Sequence, residues 1–248
     1  MDACLRSQYV SRVRGPVREA VTVWGAVILG LAVLQGVGLA VPLVQSLVGA
    51  AAVAAFLYAP VRFLEQRGQD AHDAGWRFAR LGKDLAWSLG ACALILPLFA
   101  LAFFVFTSWL NDLPQGLRAL LAPYTGMAKH GMRLHVPMTW DFLGQVAGNA
   151  AVAFAEEFFY RGYMTMRFEE RWPPQTKILG APMGKAALLA ALLFALGHLL
   201  TPAPWRLAVF FPALLFAWLR AKTGTVVGGS ICHWLCNVWL LILETSAY

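Results

Sequence analysis

Charge is scarce in this chain of 248 residues. Asp and Glu number 13 and Lys and Arg 20, together 13% of the sequence, where a soluble domain carries about 25%. With 59% hydrophobic residues and a mean hydropathy of +0.61, there is too little polar surface to coat a soluble globule. Cysteine is scarce too. Cys4, Cys92, Cys232 and Cys236 form no CxxC, and three of them fall in apolar segments. That excludes a disulfide framework and leaves small buried hydrophobes. There is no GxSxG and no HExxH, which removes two familiar hydrolase signatures. We find no internal repeat, low-complexity tract or soluble domain. A cleavable signal peptide is also missing: the first 18 residues hold Arg6, Arg12, Arg14 and Arg18 but no apolar core. The first helix is therefore expected to act as an uncleaved signal anchor.

What the chain does have is apolar runs near the length that crosses about 30 Å of hydrocarbon. Spans are expected at 20–41, 43–61, 85–110, 139–164, 185–201, 204–221 and 225–245. Pro42 divides the first two, Asn111-Asp112-Leu113-Pro114 ends the third, Thr201-Pro202-Ala203-Pro204 divides the fifth and sixth, and Gly224 the last two. The expected fold class is all-α, a polytopic membrane helical bundle of about seven transmembrane helices. It divides into a basic N-terminal arm (1–19), N-terminal helices with interfacial loops (20–138), and a C-terminal core (139–248). Residues 66–84 and 113–136 are expected near the membrane surface, the latter with an interfacial helical period.

The net charge of +7 fits topology better than nucleic-acid binding, because the basic residues sit at the ends of the apolar runs. With the N-terminus in the cytoplasm and sides alternating, the arm carries four, the loop after the second span five (Arg62, Arg67, Arg77, Arg80, Lys83), the loop after the fourth span four (Arg167, Arg171, Lys177, Lys185), and the loop after the sixth two (Arg220, Lys222), giving 15 inside. Outside lie only four: Arg118, Lys129, Arg133 and Arg206. This asymmetry supports an odd number of spans and an external C-terminus.

Three places break the apolar rule within the last 100 residues: Glu156-Glu157-Phe158-Phe159-Tyr160-Arg161, Phe194 to His198, and His233 to Asn237. Polar groups at membrane depth cost several kcal/mol unless partnered and mark functional sites. Glu157 and Arg161 are four apart and share a helix face, so they are expected to pair. Glu156 is turned about 100° away and lacks that partner, while Asn149 lies on nearly its face. His233 and Asn237 share a face. A carboxylate and a histidine suit water activation, and a second histidine with an amide suits an oxyanion. Zinc stays open, with Glu156, His198 and His233 as ligands. One buried histidine or one Glu–Arg pair is ordinarily structural; three polar sites on three helices are harder to read so.

The ordered set EExxxR, FxxxH and HxxxN on successive hydrophobic helices resembles the CPBP family, the type II CAAX prenyl endopeptidases and their bacterial relatives, also called Abi. The likeness covers 139–245 and includes the aromatic filling and following Gly162-Tyr163 of the first motif. It implies an intramembrane glutamic protease without a cofactor, in which Glu156 and His198 activate water, His233 and Asn237 form the oxyanion hole, and Glu157, Arg161 and Phe194 support them. A non-catalytic immunity or assembly factor on the same fold, and a zinc-dependent protease, are the alternatives. A proton-coupled transporter fits less well, because transporters of that kind show internal repeats. The expected partners are the lipid bilayer and a membrane-anchored or lipidated protein substrate, cut near its C-terminus. Ala, Leu, Arg and Gly richness points to a bacterial inner membrane, where a C-terminal anchor is a better expectation than a prenylated tail. One tension stands: with these spans, Glu156 and His198 are offset on the order of 10 Å along the membrane normal, which a fourth helix continuing past Met166 would relieve.

Overall fold

A computed structural model describes residues 15–120, 131–201 and 203–247. Cys4, three of the arm's four arginines, Lys129 and Pro202 lie outside them, as does the middle of the expected 113–136 surface stretch. Every one of the seven expected spans is a helix. α1 (Pro16–Ala40) starts on a proline at a first helical position, where the missing N–H costs nothing. Val41 alone joins it to α2 (Pro42–Glu65), which again opens on proline, making a tight helical hairpin. α3 (Leu81–Leu110) follows the first surface loop, and the short α4 (Gln115–Leu120) sits in the second. α5 (Trp140–Glu157) is capped by Thr139, whose Oγ1 accepts from the Phe142 N–H at 3.2 Å. It runs without a break into a π-helical segment, Phe158–Met164, and then α6, Thr165–Glu169. The continuation past Met166 that the offset of Glu156 and His198 requires is thus present.

A hairpin of β1 (Thr176–Ile178) and β2 (Ala181–Met183) leads to α7 (Lys185–Gly197). A short 3₁₀ turn carries His198. The expected sixth span begins as a 3₁₀ helix over Pro204–Val209 before becoming α8 (Phe210–Thr223). Gly224, at φ 81, ends α8 in the left-handed conformation. α9 (Val227–Ser246) completes the chain, and its end pairs with the loop before α5, Met132 bridging Ala247.

Among the described residues, four helices are long and apolar enough to cross a membrane: α1, α2, α3 and α9. Within α1–α3 only 11–17% of the most apolar window is buried, against 39% in α9. Of these four, α9 is therefore the most enclosed, and α1–α3 turn most of their apolar surface outward. The chain is an integral membrane protein. Its interior is not uniformly apolar. At one end, buried Glu19 of α1 forms ion pairs with Arg67 and with Arg167, whose Nε lies 3.1 Å away, and accepts from the Tyr163 hydroxyl at 3.3 Å. Elsewhere, Thr225 donates to buried Asp84 at 2.6 Å, and Ser88 donates to the Gly228 carbonyl at 2.6 Å, tying α3 to the start of α9. Cys92 and Cys232 pack as free thiols with their sulfurs 3.4 Å apart.

Candidate active site

The π-helical segment fixes the first set of polar side chains. All seven of its residues are buried, Arg161 included, and π-turns of this kind cluster at functional sites. Glu157 is wholly buried just before it, and its Oε1 accepts from Arg161 Nη1 at 2.8 Å. The expected pair is therefore formed. Arg161 Nη2 donates to the Ala213 carbonyl of α8 at 3.0 Å. Its guanidinium also lies 4.4 Å from the ring centre of Phe194 and 5.5 Å from that of Phe216. These contacts offset part of the cost of taking the cation out of water, while its Nε has no hydrogen-bond partner among the described residues.

The same Glu157 oxygen faces His233 Nδ1 of α9 at 3.0 Å. An ionised carboxylate only accepts, so Nδ1 carries the proton and the ring is held with Nε2 outward. Nε2 lies 3.7 Å from Glu156 Oε2. His233 thus stands between two carboxylates, one neutralised by arginine. Phe216 stacks on its ring at 4.7 Å with 15° between planes, and Phe194 meets it edge-on at 5.8 Å. Glu156 makes no hydrogen bond among the described residues, as expected from its rotation away from Arg161.

His198, at the end of α7, is oriented by its own helix. A carbonyl cannot donate, so His198 Nδ1 donates to the Phe194 carbonyl, at 2.9 Å. In the neutral ring, Nε2 then carries a free lone pair. The Phe194 ring touches His198 at 4.5 Å and so contacts both histidines and Arg161. Glu156 and His233 are close enough to act electrostatically on His198. Asn237 lies one turn beyond His233 on the same helix, half-buried, with no side-chain hydrogen bond among the described residues. Glu156, Glu157, Arg161, Phe194, His198 and His233 therefore converge. Asn237 shares the His233 helix face one turn on and makes no side-chain hydrogen bond to them among the described residues. Asn149 turns away, donating to the Gln145 carbonyl at 2.9 Å.

The donor atoms of Glu156, His198 and His233 are not close enough for a metal ligand set as they stand. Among the described residues, the one trio of His, Cys, Asp or Glu side chains with donors all within 4.8 Å is Asp70, His72 and Asp73, exposed in the loop after α2. Ligands of a tetrahedral zinc stand ~3.4 Å apart, given bonds of about 2.0–2.1 Å. The three residues do not fit zinc without movement of His198.

Two contributors carried little sequence signal. Phe216 is one apolar residue among many, and its stacking on His233 depends on how α8 and α9 pack. Gly229 had a better signal, as half of a glycine pair one turn before His233. A Cβ there would lie 3.1 Å from Glu157 Oε2 and 3.2 Å from the Phe216 carbonyl, so glycine lets the buried carboxylate sit against α9 without either neighbour giving way.

The arrangement offers a free carboxylate, a histidine lone pair and a second histidine held between two carboxylates. No curated protein and no solved structure matches the chain. Residues 138–239 match the family described as Type II CAAX prenyl endopeptidase Rce1-like. That segment holds every one of the converging side chains, and over it the chain is similar to this family of endopeptidases.

Proposed function

We propose that the chain is an intramembrane glutamic endopeptidase in which Glu156 is the general base. The observation that carries this reading is the 3.7 Å separation of Glu156 Oε2 from His233 Nε2. It is too long for a direct hydrogen bond, and it is a spacing at which one water contacts both groups. Glu156 takes the proton of that water while the Nε2 lone pair of His198 accepts its second hydrogen bond. Attack on the scissile carbonyl builds an oxyanion, which His233, as imidazolium, and the Asn237 amide receive as donors. Charge balance favours this assignment. With His233 protonated, Glu156, Glu157, Arg161 and His233 sum to zero, the least costly state for buried charges. Glu157 and Arg161 orient His233 and do not touch substrate.

No metal is required by this scheme. The substrate is a membrane-anchored or lipidated protein, cut near its C-terminus, and a bacterial setting favours a C-terminal anchor over a prenylated tail. The N-terminus is cytoplasmic and the C-terminus external, a reading supported by the uneven distribution of basic residues.

The test compares C-termini of membrane and surface proteins in cells with the wild-type chain, with Glu156→Gln and with Asn237→Ala. Both variants are expected to lose cleavage about 10²-fold or more, while expression and melting temperature hold. Wild-type processing by Glu156→Gln would remove the catalytic reading and leave a non-enzymatic role on the same fold.

A further inference from the structure

α8 has two working faces. Ala213 and Phe216 touch Arg161 and His233. Leu214, Leu215 and Trp218 instead line a cavity of about 1280 Å³, larger than the roughly 300–1,000 Å³ of a pocket for a drug-sized ligand. Its other walls come from α3, α7 and the β1–β2 hairpin. Trp87, Leu94 and Leu188 of those walls are 38%, 67% and 51% exposed, so in this membrane protein the cavity opens to lipid.

One end of the cavity is basic. Arg171 and Lys185 line it there, both exposed, and neither makes an ion pair or side-chain hydrogen bond among the described residues. Lys185 is also the first residue of α7, whose N-cap Gly184 supplies no side-chain acceptor. The first N–H groups of that helix therefore have no side-chain cap at the same end. Trp87, Trp172 and Trp218 line the cavity as well, and tryptophan gathers at headgroup depth.

The β1–β2 hairpin is strapped across this region. Trp218 Nε1 donates to the Ile178 carbonyl at 2.8 Å, and Lys222 Nζ to the Leu179 carbonyl at 3.0 Å. Lys222 sits 4.7 Å over the Trp87 ring. Leu179 holds a φ of 47° in the two-residue turn, an uncommon conformation for its type. Ile178 and Leu179 are 52% and 82% exposed. An apolar tip beside free basic groups is the profile of a segment dipping into headgroups.

We propose that this cavity binds one anionic phospholipid of the surrounding bilayer. Its acyl chains lie against Leu94, Leu188 and Leu215, and its phosphate meets Arg171, Lys185 and the start of α7. Charge complementarity selects this occupant: an apolar groove alone takes any chain, whereas two unpaired cations beside an uncapped helix start call for an anion. The lipid bears on the helix whose opposite face positions His233. The inference stands apart from the protease reading, since binding is measured without substrate.

The test places the purified chain in nanodiscs of equimolar phosphatidylglycerol and phosphatidylcholine and reads retained lipid by native mass spectrometry. Wild type is expected to keep one phosphatidylglycerol in preference to phosphatidylcholine. In R171Q/K185Q that preference should fall about 25-fold, the product of roughly five-fold for each basic side chain near a membrane surface. Leu188→Trp, at an exposed wall position, should reduce retention of both lipids. Melting temperatures establish that both variants are folded. Equal retention of the two lipids by wild type, or an unchanged preference in R171Q/K185Q, overturns the proposal. So does displacement of phosphatidylglycerol by a farnesylated peptide at equimolar amounts, which would give the cavity to a lipidated substrate.

Discussion

Glu157→Gln removes one charge and almost no volume from the centre of the site. Glu157 and Arg161 have side chains only 0% and 1% exposed, so neither water nor headgroups replace the lost partner. Breaking a buried pair from one side costs about 3–5 kcal/mol, because an uncompensated charge stays behind. Arg161 keeps its bond to the Ala213 carbonyl and the faces of Phe194 and Phe216, which argues for the lower end, about 3 kcal/mol. In a chain of this size each kcal/mol moves the melting temperature about 2–4 °C. The expected loss is thus roughly 6–12 °C, followed by tryptophan fluorescence in nanodiscs. Arg161→Met and the double variant complete a cycle. Removing both charges leaves none unpaired, so the double variant should lose less than the sum of the singles, with a coupling of about 0.5–3 kcal/mol. Additive losses, or a Glu157→Gln melting temperature equal to wild type, would show that the ion pair does not hold the site.

Gly229→Ala brings a methyl group to 3.1 Å from Glu157 Oε2, and peptidase activity should fall with stability; an active, fully stable variant would mean that α9 and the carboxylate are not in contact. Chelators should leave the activity of folded enzyme intact, and loss that added zinc restores would return Glu156, His198 and His233 to the role of ligands. Single cysteines at positions 2 and 247, in a background without native cysteines, should react with impermeant maleimide from opposite sides of the membrane, whereas labelling from one side contradicts an odd number of spans.

Much of the fold is written in local features that sequence exposes directly. Pro42, the 201–204 break and Gly224 each end or begin a helix where they stand, because proline and glycine act through their own backbone. The Glu157–Arg161 pair was equally legible, since residues four apart on a helix meet whatever surrounds them. The contact between Glu157 and His233 joins residues 76 apart in sequence and depends on how α5 and α9 pack, which no local period encodes. Phe216 and the Glu19–Arg67–Arg167 cluster were hidden for the same reason. Arg67 and Arg167 read as headgroup-level charges in their loops, and only tertiary packing shows that both turn inward onto Glu19. The lipid-facing cavity has no sequence counterpart, being a space between elements.

The π-helical segment between Glu157 and Thr165 also works as a phase shifter. An α-helix advances about 100° per residue, and a wider turn takes in one more residue before it closes. The helix face before the segment and the face after it are therefore rotated out of step. On the upstream face Glu157 meets His233 of α9, while on the downstream side Arg167 meets Glu19 of α1. A helix of uniform pitch, shorter by one residue, satisfies one of these neighbours and turns the other away. The rotational setting of the chemistry and the anchoring of the first helix are thus adjusted independently within a single continuous rod, and the extra residue that separates them has to lie where the helix is enclosed on all sides, because only there do close neighbours on every face keep the loosened turn from relaxing.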